Sequence, residues 1–422
     1  MLTLDSFNSH WKLFSENRSL VVALSGGIDS VVLLHLLVSL KQRGSDFSLR
    51  AIHINHQLCN ASEEWAQFCA DLCVSWDVPY NTYSVSINQN SGLGIEAAAR
   101  LARYQTLDES CRYGESLVMA HHQMDQVETL LLRLIRGSGI KGMSAMSSQS
   151  HFNQRNILRP LLLFSKELIE EYAHHHRLVW VEDSSNLDIA FDRNYIRHQV
   201  LPILKRRWPS VVQTMARSSQ HCYFSNQLLD HYLSQDLIRL KQGCQLSVDG
   251  LKSMPSIKQH PLLRAWLIEQ DCPLPDTHQL NTMMTDVVYA KRDAIPCVKW
   301  KGYELRRYCD LLYVMPKLMC FDRDIEYVWN LQEDLVIKPL GLTLQAKSQA
   351  VRDIQQIYQI SQVTVRFRQG GERLPLRGYH QTLSKYFQQA RIPTWLRDRM
   401  PLLFMGDELI FVWLEDWELS LS

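Results

Sequence analysis

From position 20 to about 185, short apolar runs alternate with longer stretches of helical periodicity. The runs LVVAL (20–24), LRAIHIN (49–55), YNTYSV (80–85), SLVMAHH (116–122) and LVWVED (178–183) read as strands. Helices are predicted between them over roughly 28–42, 62–76, 94–112, 125–136 and 166–176. Two helices have clear starts: Ser62 precedes Glu63 and Glu64, and Ser165 precedes Lys166 and Glu167, each a capping serine before a first turn that carries acid. Near-continuous apolar strands alternating with helices predict an α/β fold, a parallel sheet with helices on both faces. Ligands of such sheets sit at the carboxyl ends of the strands.

From about 192 the pattern changes. RNYIRHQVLPILKRRW and VVQTMARSSQHCYFSNQLLDHYLSQDL are helical in period, as is KQHPLLRAWLIEQ up to the break at Cys272-Pro273-Leu274-Pro275. The expected organisation is a catalytic domain over 1–214, a helical middle domain over 215–320, a polar joint around 320–350, and a small α/β domain over 350–422. The last has strand alternation at VTVRFRQ, a helix over 382–390, a stop at Ile392-Pro393 and a strand pair around Gly406-Asp407. A length of 422 residues suits two or three domains.

Composition narrows the classes. No apolar run approaches the ~20 residues of a membrane span, and the mixed, acid-bearing N-terminus is unlike a signal peptide. A cytoplasmic protein without membrane contact is expected. The ten cysteines contain no C-x-x-C, which fits buried free thiols rather than a metal or disulfide framework. A formal net charge of +1 means that any polyanion must be held by local patches. His174-His175-His176 closes a helix, where the dipole favours cations, and no further metal ligand accompanies it.

The first strand runs into Ser25-Gly26-Gly27-Ile28-Asp29-Ser30 and then a helix. Such a turn aims backbone N–H groups and a helix N-terminus at one point, a cradle for phosphate. The plainer reading is a tight turn with an Asp/Ser cap. Neither the G-x-x-x-x-G-K-[ST] loop nor the G-x-G-x-x-G fingerprint is present. The hexapeptide resembles the pyrophosphate loop of the N-type ATP pyrophosphatases, which split ATP between the α- and β-phosphates. The resemblance places Asp29 near the phosphates, where a carboxylate serves through Mg²⁺. The second strand ends in His53-Ile54-Asn55-His56, so either His53 or His56 could meet the nucleoside; otherwise these are solvent-facing strand ends.

Three further groups stand out. Glu96, Arg100 and Arg103 share a helix face, as an ion-pair ladder or as a surface for polyphosphate or RNA backbone. Asp125 and Glu128, three apart after the fourth strand, could hold a cation, either Mg²⁺ or an ammonium; Gly137-Ser138-Gly139 follows as a flexible exit. Arg193 and Arg197 head a helix, where cations need an anion nearby. That helix ends in Lys205-Arg206-Arg207-Trp208, a basic cluster or a solvated face.

In this order SGGIDS, GIEAAARLARYQ, AHHQMDQVETLLLRLIRGSG, RPLL, WVEDSSN, RNYIR and the tail VRFRQGGERL…LSKYFQQARIPTWLRDRMPLL resemble the bacterial tRNA(Ile)-lysidine synthetases over nearly the whole chain. The resemblance implies an ATP-dependent ligation on the wobble cytidine of tRNA(Ile) with anticodon CAU. The cytosine O2 attacks the α-phosphate and pyrophosphate leaves; the ε-amine of free L-lysine then attacks the ring carbon and AMP leaves. Decoding changes from AUG to AUA, and charging from Met to Ile. The implied site has Ser25, Gly26, Gly27, Ile28, Asp29, Ser30 and His53 on ATP, and Asp29 and Asp125 on Mg²⁺. Asp29, Asp125, Glu128 and Arg193 are the implied catalytic group. Asp125 and Glu128 would take the lysine, and Arg193 the α-phosphate or adenylated base. Arg100, Arg103, Arg197, Lys205, Arg206, Arg207, Arg366, Arg368 and Arg373 would face tRNA, the last three in a tail expected near the acceptor stem. Ser384 stands where the family commonly has a second lysine. Trp395 and Arg397 fit core packing and RNA stacking equally. A homodimer is possible in such a family.

Two rivals remain at this stage. A tRNA thiolase on the same loop would need activated sulfur, against which the missing C-x-x-C and the presence of DQVET argue. An RNA-binding protein with a silent loop is opposed by the intact hexapeptide and both acids.

Overall fold

The computed structural model describes residues 2–55, 62–85, 95–153, 155–291, 293–376 and 379–414. It divides into two units, Met1–Leu228 and Leu229–Ser422.

In the first unit, β1 (Ser19–Ala23), β2 (Ser48–Asn55), β3 (Tyr80–Ser84), β4 (Ser116–Val118), β5 (Gln149–Phe152) and β6 (Arg155–Leu158) form one sheet. Its order is β3-β2-β1-β4-β6-β5, parallel except for the edge pair β5–β6. The central strand explains its own sequence. Leu20 and Val22 point into a core shared with α1 (Leu4–Trp11) and α2 (Ile28–Gln42), while Val21 packs on the opposite face with Tyr104 and Leu107. A strand covered on both sides needs apolar residues at every position, so its period-2 signal vanishes. The other helices are α3 (Ser62–Ser75), α4 (Ile95–Ser110), α5 (Gln123–Ile135), α6 (Ile140–Met143) and α7 (Lys166–His175). The side chains of 95–100 lie outside the described residues.

One expected strand is not there. Residues 178–183 form no ladder. Leu178 and Trp180 pack against the core that surrounds α2, and the Val181 N–H donates to Gly26 O at 3.0 Å. The apolar residues of LVWVED serve as a cover beside the glycine loop. The sheet position goes instead to β6, a run that carries only two buried residues, Ile157 and Leu158.

In the second unit, helices Val248–Ser253, Ser256–Glu269 and Thr277–Thr282 surround the buried Trp266. The middle region is more than helical. A five-stranded sheet includes the hairpin Tyr303–Tyr308 and Leu311–Pro316, with Cys297–Trp300 alongside. Lys301 (φ 40°) and Gly302 (φ 83°) make the two-residue turn that joins Trp300 to Tyr303, a lysine in the left-handed region hiding the usual Asn-Gly signal. The stretch expected as a joint supplies a strand too. Tyr327–Asn330 pairs with Gln362–Arg366, followed by Leu402–Met405 and Glu408–Val412, around Trp329 and Trp413.

Candidate active site

At the carboxyl end of β1, Gly26 adopts φ +85°, and a Cβ there would lie 2.8 Å from Val181 Cγ2 and 3.2 Å from Cys69 Sγ. The glycine is required by protein on that side. Gly27 is different: its φ is −71°, it is the N-cap of α2, and its Cβ position meets nothing closer than Ser25 Oγ at 3.6 Å. The Ser30 hydroxyl is spent inside the loop, donating to Gly27 O at 2.9 Å and accepting from the Ser25 N–H at 3.2 Å. Ser25, exposed, keeps its hydroxyl at the mouth, 3.1 Å from Ser30 Oγ. Ile28 and Asp29 open α2, where first-turn N–H groups have no partner within the helix.

Asp29 is the hinge of the constellation. Its Oδ1 accepts from Lys166 Nζ at 2.7 Å, and its Oδ2 lies 3.6 Å from His122 Nε2. His122 Nε2 is also 3.6 Å from Asp125 Oδ2. His122 caps α5: its Nδ1 accepts from the Met124 N–H at 3.2 Å, while the His122 N–H donates to Asp125 Oδ2 at 2.9 Å. A ring accepting at Nδ1 carries its proton on Nε2, facing both carboxylates. Burial disfavours charge on His122, but Asp125 and Asp29 outweigh it and raise its pKa. Burial likewise pushes the Asp29 carboxyl up, and is outweighed by His122 and Lys166, which hold it below the usual range.

Deeper in, the helical run Asp192–Tyr195, Ile196–Val200 and Leu201–Arg207 presents two arginines to α5. Its middle piece is a π-helix, an element often met at functional sites. Arg193 donates through Nη2 to Asp125 Oδ1 at 2.8 Å and through Nε to Glu128 Oε2 at 2.6 Å. Arg197 donates through Nε to Glu128 Oε1 at 2.6 Å. Glu128 has 0% exposure. Burial pushes the Asp125 carboxyl up, but the positive charges of His122 and Arg193 hold it far below its ordinary value.

Asp29, Asp125, Glu128, Arg193 and Arg197 are thus brought together. Glu128 is wholly buried, and both of its oxygens accept from guanidiniums. Asp125 does not fit a metal: Oδ1 takes Arg193, and Oδ2 takes a backbone N–H and faces His122. Asp29, nearer the surface, does fit a hard cation that keeps most ligands from water and phosphate. Among the described residues no group of three or more His, Cys, Asp or Glu is placed to bind a metal. His53 is buried, its Nδ1 bonded to Leu24 O at 2.9 Å, so it braces the strand that feeds the loop and is no open contact for a nucleoside.

Two residues of the site escaped notice in the sequence, His122 and Lys166. His122 read as part of a polar strand end and Lys166 as a helix start. The one available signal was a lysine in a first turn, where the dipole disfavours it.

The basic candidates are dispersed. Lys205 pairs with Glu167 at 3.1 Å, and Arg207 lies 5.8 Å over the Trp208 ring, beside Arg206. Arg103 is half-buried on α4; the side chain of Arg100, and all of His56, lie outside the described residues. In the second unit Arg366 pairs with Glu326 at 2.8 Å and lies over Phe404, Arg368 reaches Asp398 and the Ser384 hydroxyl, and Arg373 is exposed. Ser384 therefore accepts from an arginine where a lysine would repel it. Trp395 is half-buried among Tyr308, Tyr313 and Arg306, and Arg397 is buried, donating to Tyr308 Oη and Ile392 O.

Residues 3–204 match the PP-loop domain, which makes this an ATP-using protein of that class. Residues 246–313 match the TilS substrate binding domain and 363–414 the TilS substrate C-terminal domain. A tRNA(Ile)-lysidine synthase of Coxiella burnetii is 38% identical over 94% of this chain and 89% of its own. Another, of Serratia proteamaculans, is 39% identical over 93% and 90%, and one of Actinobacillus pleuropneumoniae 36% over 97% and 100%. The chain belongs to the tRNA(Ile)-lysidine synthase family. Among solved structures, a U34-tRNA thiolase of Methanococcus maripaludis is similar over 51% of this chain and 80% of its own, at 15% identity and a TM-score of 0.42, too slight a likeness to carry argument. No helix among the described residues is long and apolar enough to cross a membrane.

Proposed function

We propose that this chain ligates free L-lysine to C2 of the wobble cytidine of tRNA(Ile) with anticodon CAU, in the cytoplasm. ATP is consumed to AMP and pyrophosphate. The observation that carries this reading is the junction at His122, whose Nε2 is equidistant, at 3.6 Å, from the loop carboxylate Asp29 and from Asp125. It ties the ATP loop to the Asp125–Glu128–Arg193–Arg197 cluster, so activation and ligation share one edge of the sheet.

In the first step the cytosine O2 bonds to the α-phosphorus and the bond to the pyrophosphate oxygen breaks. Ile28 and Asp29 offer backbone N–H groups to the departing anion, and Ser25, whose Oγ accepts from the Gly27 N–H at 3.4 Å, a hydroxyl. Bound at Asp29, Mg²⁺ would supply charge neutralisation at the phosphates. Arg193 and Arg197 sit behind, their geometry fixed by Glu128. One guanidinium edge of Arg193 reaches the α-phosphate or the adenylated base. In the second step the lysine ε-amine, after losing a proton to water or a neighbouring base, bonds to C2 and AMP leaves. The lysine α-ammonium shares Asp125 with Arg193, while Glu128 acts only as the anchor. The wobble base must swing out of its stack to reach this edge, which requires grip elsewhere on the tRNA. Arg206, Arg207 and Arg373 offer charges for it. A homodimer is compatible with this reading and is not needed by it.

The test is a pyrophosphate-release assay with ATP, L-lysine and CAU-anticodon tRNA(Ile), each omitted in turn. Completed turnover should need all three. Turnover indifferent to lysine rules out the ligase; release that needs a sulfur donor favours a thiolase.

A further inference from the structure

We propose that Lys166 is the cation that binds the pyrophosphate portion of ATP, held on Asp29 until the nucleotide arrives. The assignment rests on the ATP-splitting reading above and adds a residue to it.

Lys166 is the first residue of α7, capped by Ser165, whose hydroxyl accepts from the Leu168 N–H. A cation in a first turn is opposed by the helix dipole. The side chain nonetheless extends to Asp29 Oδ1 at 2.7 Å, which places an ammonium one hydrogen bond from the first turn of α2. The partners differ from the other ion pairs of the site in their access. The three cations are similarly exposed, and the difference lies in their carboxylates: Arg193 and Arg197 are held by Glu128 at 0% and Asp125 at 12%, whereas Lys166 is held by Asp29, whose side chain is 30% exposed. This is the pair at the mouth that can exchange partners.

Charge makes the exchange favourable. The three carboxylates Asp29, Asp125 and Glu128 match the three cations Lys166, Arg193 and Arg197 in number, and His122 adds positive charge when protonated. Polyphosphate entering this balanced site needs cations, and Lys166 is the one not bound to a buried acid. Phosphate oxygens arriving at the loop lie within reach of the ammonium, which can exchange Asp29 for them; Asp29 would then be the residue free to hold Mg²⁺, which would supply charge neutralisation. As the α–β bond breaks, negative charge gathers on the leaving pyrophosphate, where the ammonium stabilises it. No new bond chemistry is required.

The experiment is calorimetric binding of inorganic pyrophosphate, ATP and AMP, each with Mg²⁺, to the full chain. Lys166→Gln should weaken pyrophosphate and ATP by about tenfold or more, the scale of one charge-assisted hydrogen bond, and leave AMP nearly unchanged. Lys166→Arg should retain most of the affinity. Pyrophosphate affinity in Lys166→Gln within about twofold of wild type overturns the assignment, as does an equal loss for AMP. A second measurement needs no variant: pyrophosphate, but not AMP, should shield Lys166 from an amine-acetylating reagent, read by mass spectrometry, and equal labelling with and without pyrophosphate contradicts it. A wild-type chain that binds neither ATP nor pyrophosphate would remove the ATP-splitting reading itself, and this assignment with it.

Discussion

Arg193 holds Asp125 and Glu128 with one guanidinium, at 2.8 Å and 2.6 Å, and Glu128 has no surface exposed to water. Removing the charge of Glu128 leaves two guanidiniums facing a neutral amide. Breaking a buried pair costs about 3–5 kcal/mol, and the partly open arginines bring the expectation for Glu128→Gln to roughly 2–4 kcal/mol. Denaturant unfolding of Glu128→Gln, Arg193→Met and the double variant checks it. The double variant should lose less than the sum, and strict additivity would show that the two do not interact.

The two glycines of the loop should part company. Gly26→Ala puts a methyl 2.8 Å from Val181 Cγ2 at a left-handed φ, so it should lower stability by about 1–3 kcal/mol as well as abolish ATP binding. Gly27→Ala meets no protein atom closer than 3.6 Å, so the fold should tolerate it. Any loss of ATP affinity there, with the melting temperature unchanged, measures how closely phosphate approaches the backbone. Thermal melts and nucleotide titration of both variants suffice.

Acid should unpick the site only below about pH 4. Asp29 and Asp125 are both held below their ordinary pKa by His122 and their cationic partners, despite burial. A carboxyl with a depressed folded-state pKa contributes stability that is complete above its unfolded value of about 3.9 and is lost as pH falls through the folded one. Stability should therefore decline below about pH 4, and Asp125→Asn, already lacking its share, should show a shallower slope there. Unfolding free energies from pH 6 to pH 3 provide the check; parallel slopes in the two proteins would contradict it.

The thiols should divide sharply. Burial pushes Cys69 and Cys73 up to about 12, whereas Cys309 and Cys320 are exposed. Only thiolates react, so among the described cysteines alkylation of the native chain should label Cys309 and Cys320 before the others and Cys69 only on unfolding. Peptide mapping of partially labelled protein resolves the order.

Much of this was legible from residues alone. The loop, β1, α2 and the pairing of Asp125 with Glu128 follow from local pattern, because a doubly covered strand and a capped helix write themselves into adjacent residues. What escaped was set by distant contacts. Nothing near Lys166 says that its ammonium meets Asp29, 137 residues away in sequence. Likewise the apolar run at 178–183 looks like a strand because its side chains cover the loop and the core, a role that hydrophobicity cannot distinguish from sheet. The carboxylates at 125 and 128 were read as waiting for a cation; they have one already, in arginines supplied some 65 residues later.

The central claim is that the wobble cytosine is the group adenylated and lysine the group joined to it. Incubating the protein with ATP, isotopically labelled L-lysine and CAU-anticodon tRNA(Ile), then digesting the tRNA and weighing its nucleosides, reads this directly. The expected result is a labelled lysine–cytidine adduct at the wobble position, formed only with ATP present and accompanied by AMP and pyrophosphate. Unmodified cytidine, or a cytidine carrying sulfur and no lysine label, would contradict it.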